Sequence, residues 1–98
     1  MRFDSDIVDV ASAGTAVRIR NTRDKIAWIK FTAPTANSGL AYVGLSDVSA
    51  TNGYVLGASG GVDATLEIDF RPGSIQADLL WIDAASSGDD VAYAAIFE

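Results

Sequence analysis

Apolar and polar residues alternate along most of this chain with a period of two. The clearest run is Val62, Ala64, Leu66, Ile68 and Phe70, interleaved with Asp63, Thr65, Glu67 and Asp69. A strand sends successive side chains to opposite faces, whereas a helix would scatter these acids around its cylinder. Residues 62–70 are therefore predicted as a strand, stopped by Arg71-Pro72-Gly73. In residues 16–20, Val17 and Ile19 oppose Arg18 and Arg20. In residues 26–33, Ala27, Ile29 and Phe31 share one face, and Ile26, Trp28 and Lys30 the other. Residues 40–45 and 54–56 read as short strands. Residues 75–83 are apolar on both faces and predict one central strand, or one in a subunit contact. Residues 91–97 set Val91, Tyr93, Ala95 and Phe97 against Ala92, Ala94 and Ile96. That alanine face lets another sheet or backbone approach closely.

Between these runs lie turn signals. Residues 21–25 are polar, Asn52-Gly53 tolerates positive φ at both positions, and residues 57–61 are a Gly/Ser turn. Residues 1–15 are mixed, with an apolar stretch at 7–10, and read as an N-terminal arm or an edge strand. Seven or eight strands and no helix predict a single-domain all-β sandwich over residues 16–98, jelly-roll-like or a small barrel.

Composition agrees with this reading. Val and Ile together number 16 against six Leu, and β-branched residues suit a pleated sheet. The 98 residues fit one domain. Mean hydropathy is +0.21, raised in part by 16 alanines. The net charge of −6 argues against non-specific nucleic-acid binding, which rests on Lys and Arg neutralising phosphates. No apolar run approaches the ~20 residues of a membrane helix, and nothing at the start reads as a targeting segment. The expected setting is the cytoplasm, or a particle assembled there. Six of the seven basic residues fall in the first 30 positions. Either early and late strands pair and neutralise each other, or a basic face meets an acidic partner.

The chemistry is mostly defined by what is missing. Without Cys and His, the chain lacks a disulfide scaffold, the Ser-His-Asp triad and the commonest metal ligand. No catalytic residue, metal site or cofactor is expected. Asp83, Asp89, Asp90 and Asp47 match no calcium-loop spacing and read as solvated turn carboxylates. Asp63, Glu67 and Asp69 read as the wet side of one strand, not as a glycosidase pair. Residues 57–61 are not followed by the Lys-Ser/Thr of a phosphate loop. Trp28, Tyr42, Tyr54, Trp81 and Tyr93 read as core or interface anchors, the alternative being a sugar-binding or base-stacking platform. The basic cluster Arg18, Arg20, Arg23 and Lys25, with Trp28 and Lys30, is the candidate partner-docking surface.

Residues 37–54 read NSGLAYVGLSDVSATNGY, and the acidic alternating strand leads on to IQADLLWIDAA. This pattern resembles small virion structural proteins of tailed bacteriophages, in which a YVG-SDVS-xxNGY-L segment precedes LEID-like and IWIDA-like strands. The resemblance covers about residues 16–98. Such segments often carry Pro in the turn after NGY-L, where this chain has Gly57-Ala58-Ser59-Gly60-Gly61. It implies a non-enzymatic head decoration (cement) protein on the capsid surface of the virion. The implied partners are the major capsid protein of a tailed phage and other copies of the chain, as a homotrimer, with neither nucleic acid nor membrane. The alternatives are a tail, collar or baseplate component, or a carbohydrate-binding module.

Overall fold

The computed structural model describes residues 2–57 and 64–98. The Gly/Ser turn after Gly57, and Val62 and Asp63 of the acidic run, lie outside the described residues. Two antiparallel sheets pack face to face as a sandwich, and neither closes into a barrel. One sheet holds β1 (Arg2–Asp9), β9 (Asp90–Phe97), β3 (Lys25–Thr32) and β6 (Thr65–Asp69) in that order, with short β7 (Ile75–Gln76) also on β3. The other runs β2 (Val17–Arg18), β8 (Trp81–Ala84), β4 (Ala41–Gly44), β5 (Tyr54–Leu56). With β7 set aside, the chain alternates between the sheets except at the β4–β5 hairpin, which is the winding order of a jelly roll.

The inward rows form one core. Phe31, Phe97, Ile26, Ile29, Leu56 and Ile82 are its largest fully buried apolar side chains. Burying each stabilises the fold by about 1.5–3 kcal/mol. Strand β9 follows the sequence pattern at every step: its odd-numbered residues are buried and its even-numbered ones half-buried. In β6, Leu66 and Ile68 turn inward between exposed Thr65, Glu67 and Asp69.

Three local expectations are corrected. Ile26 faces the core although strict alternation puts it opposite Ile29. A bulge between Ile26 and Trp28 adds one residue to β3 against β9 and changes the phase. The strand expected over residues 75–83 is two strands in different sheets. β7 pairs with β3, one 3₁₀ turn (Ala77–Leu79) breaks the run, and β8 pairs with β2 and β4. Both faces of this segment are apolar because it crosses between the two layers, while Leu79 at the crossing is exposed. The tight turn centres on Ala50 and Thr51, flanked by mutual backbone bonds of Ser49 and Asn52 at 2.8 and 3.1 Å. Asn52 keeps negative φ, and only Gly53, at +145°, uses the freedom of glycine. A Cβ there would stand 2.7 Å from Val48 Cγ2.

Candidate functional site: two sheet surfaces of opposite character

Register fixes which side chains share a surface. On the outside of the five-stranded sheet, Phe3, Ile96, Trp28 and Asp69 form one cross-strand row. Ser5, Ala94, Lys30 and Glu67 form the next, and Ile7, Ala92, Thr32 and Thr65 the third. Phe3 is 65% exposed and Ile7 63%, and the β9 and Trp28 side chains between them are half-buried. The β6 side supplies a polar border. Trp28 Nε1 donates to Glu67 Oε2 at 3.1 Å, and Arg71 grips Asp69 through two bonds of 2.8 and 2.9 Å. That grip holds the Asp69 carboxyl down at about 2.

Strand β1 is inverted relative to an ordinary sandwich edge. Its apolar Phe3 and Ile7 face solvent, while Arg2, Asp4 and Asp6 lie on the side facing the other layer. That side is closed by charge. Arg20 binds Asp4 at 2.9 Å and approaches Asp24 at 3.7 Å; Arg2 binds Asp24 at 3.0 Å. Both guanidiniums sit over the Phe97 ring, 4.7–4.9 Å from its centre. The Arg20 bond depresses the Asp4 carboxyl, and Thr22 and Arg2 depress that of Asp24. The outer edge of β1 is blunted as well: Ser5 N–H donates to Asp4 Oδ1 and Ile7 N–H to Asp6 Oδ1. Edge amides occupied by carboxylates discourage strand addition.

The centre of the opposite surface is covered by the chain itself, while Val55 of β5, beside Tyr42, stays 38% exposed. Tyr42 and Asp83 are cross-strand neighbours on the outside of the four-stranded sheet, yet only 6% and 2% exposed. Residues 45–53 fold back so that Val48 packs over Gly44, where a Cβ would stand 3.2 Å from it. Gly14 N–H, from the loop after β1, donates to Asp83 Oδ1 at 3.0 Å. Asp89 does the same at the sandwich end, accepting from Ser38 N–H and Gly39 N–H at 2.9–3.1 Å. Asn37 pairs through both side-chain atoms with the backbone of Asp90. Burial, followed by a bond to Asp9, raises the Asp90 carboxyl.

Two expectations about charge change accordingly. Asp83 and Asp89 are not solvated turn carboxylates; they are buried acceptors that fasten loops. Early and late strands are neutralised only in part: Lys30 of β3 stands opposite Glu67 of β6, but the close ion pairs among the described residues do not join early strands to late ones. Arg2 and Arg20 pair with Asp24 and Asp4 inside the first 30 residues, and Arg71 pairs with Asp69.

The six residues of the expected docking cluster are divided among separate places. Trp28 and Lys30 share the exposed apolar surface. Arg18 lies on the opposite surface, its guanidinium 5.0 Å from the centre of the Trp81 ring. Arg20 is engaged inside the β1 network, and Arg23 and Lys25 are exposed where the chain enters β3. Reading the sequence missed Phe3 and Ile7, though Phe3-Asp4-Ser5-Asp6-Ile7 carries the period-two signal that marks them. Of the aromatic set, Tyr42 and Tyr93 are buried and Tyr54 is 46% exposed. Among the described residues, no group of three acidic side chains is arranged to hold a metal ion, and no helix is long and apolar enough to cross a membrane.

Comparison of the chain with family models, curated proteins and solved structures returns no match.

Proposed function

We propose that this chain is a non-enzymatic structural subunit of a tailed-bacteriophage particle, a head decoration protein that docks on the assembled capsid and stabilises it. The reading joins the sequence resemblance to one structural observation: the outer surface of β1, β9 and β3 is largely apolar and uncovered among the described residues. An exposed apolar patch of this kind with a polar border is the usual anatomy of a protein contact. The strand order, shared by viral coat and lectin domains, is compatible at the level of analogy only.

Size supports a repeated contact. Four strands about 4.8 Å apart and three rows about 6.7 Å apart make a surface of roughly 400 Å². A stable pairwise contact uses about 800 Å² per partner. A surface half that size holds weakly alone and firmly when copies are linked on a lattice, by effective concentration. The homotrimer implied by the resemblance supplies such linkage. Binding the assembled shell and not its free subunits stabilises the shell by mass action.

The test uses heads of the phage whose genome encodes the chain, assembled without it. The chain should co-sediment with them, and the double variant Phe3→Glu, Ile7→Glu should lose at least tenfold in occupancy. Its unfolding free energy should move by less than about 1 kcal/mol, as for other surface changes. Full occupancy by the variant, or no binding of the unaltered chain, contradicts the reading. Arg18→Glu, on the opposite surface, should bind normally.

A further inference from the structure

The covered surface of the four-stranded sheet contains an open cavity of about 480 Å³, a volume typical of small-ligand sites. Tyr42 and Asp83 are among its lining residues, with Ala13 and Gly14 on one side and Ser49 and Thr51 on the other. Asp83 is the chemically distinctive group. Its Oδ1 is fully used, accepting Gly14 N–H at 3.0 Å and Ala84 N–H at 2.8 Å. Its Oδ2 has no donor among the described residues. Nor is Oδ2 sealed, since the one enclosed, unpartnered side-chain polar atom among those residues is Asp78 Oδ1. Asp83 lines the cavity with only 2% of its surface exposed, and Oδ2 is the oxygen left to meet a donor there. The ion pairs of the described residues all lie elsewhere.

A carboxylate oxygen can only accept, and a nearly buried negative charge without a counter-ion favours a donor that is itself charged. We propose that this cavity binds an alkylammonium group, whose N–H meets Asp83 Oδ2 and whose carbon chain lies against Tyr42 and the alanine methyls. Two sources share this chemistry: a lysine side chain of a neighbouring chain, and a free primary amine. The site is on the opposite surface from the docking contact and stands or falls independently of it.

The test is a chemical-shift titration of the isotopically labelled protein at constant chloride. The probes are n-butylammonium, Nα-acetyl-lysine N-methylamide, n-butanol and methyl glucoside. Both ammonium probes should shift the amides of Gly14, Thr51 and Ala84, at least tenfold more tightly than the two neutral probes. Asp83→Asn keeps the acceptor for Gly14 and Ala84 but replaces Oδ2 with a donor. It should weaken ammonium binding at least tenfold and leave the rest of the spectrum in place. Tighter binding of the lysine compound than of butylammonium assigns the site to a protein lysine, and equal binding to free amines; either upholds it. Neutral probes binding as well as ammonium, or an unaffected Asp83→Asn, overturns it. If that variant does not fold, the ratio of ammonium to n-butanol on the unaltered chain decides, and parity overturns the proposal.

Discussion

The two outer sheet surfaces of this sandwich are built from the same kind of alternating strand, yet one is covered and the other bare. On the four-stranded side, Tyr42 and Asp83 point outward and are nearly inaccessible because residues 45–53 and the loop after β1 fold over them. On the five-stranded side, Phe3 and Ile7 point outward with no covering loop among the described residues, exposed by 65% and 63%. At its centre the four-stranded side encloses even a charged side chain and keeps exposed apolar residues, Val55 and Tyr54 among them, at its β5 edge, whereas the outer rows of the five-stranded side leave Phe3 and Ile7 in water. Scattered exposed hydrophobics are ordinary, but contiguous ones on one register-fixed surface are a recognition feature. Under the proposed function, the bare side is the one that a partner completes.

If the covered side depends on buried carboxylates as fasteners, removing one should be costly. Asp89→Ala leaves the amides of Ser38 and Gly39 without their acceptor in a largely buried setting. We expect a loss of about 2–4 kcal/mol in unfolding free energy, read by urea denaturation. A loss below about 1 kcal/mol would mean that solvent replaces the carboxylate freely and the loop is not fastened by it.

Strong acid should loosen the β1 edge. Asp4 and Asp24 have carboxyls held below the ordinary value by their partners, so their contribution is present above the unfolded value. It is lost as pH falls through the lower folded value, that is, below about pH 4. Amide protection in β1, corrected for intrinsic exchange, should fall between about pH 4 and pH 2 relative to β3. Asp90, raised by burial, works in the opposite sense: its charged form is unfavourable in the fold, and that penalty fades as pH drops. Unchanged β1 protection at about pH 2 would show that the Arg2, Arg20, Asp4 and Asp24 network does not hold the edge.

Much of this was visible in the sequence. Period-two runs located β3, β6 and β9 and the inward rows of β6 and β9, and short apolar stretches located β4 and β5. What failed depends on long-range partners. The bulge that turns Ile26 inward is set by the register of β3 against β9, which local alternation does not encode. The crossing at residues 77–79 looks like a buried central strand, since a segment shared by two layers is apolar on both sides. Asp83 and Asp89 look like wet turn residues until the loops that donate to them, 69 and 50–51 positions away, are placed. The basic cluster was compact along the chain but not in space, since β2 and β3 belong to different sheets. Phe3 and Ile7 were legible in principle; their inverted orientation became clear only through pairing with β9.

The most direct measurement is hydroxyl-radical footprinting of the chain free and bound to its phage heads. Oxidation of Phe3 and Trp28 should drop several-fold on binding, while Leu45 and Tyr54, on the other sheet's side, keep their free-state rates. Protection of Leu45 and Tyr54 with Phe3 and Trp28 unchanged would contradict the assignment of the bare surface as the contact.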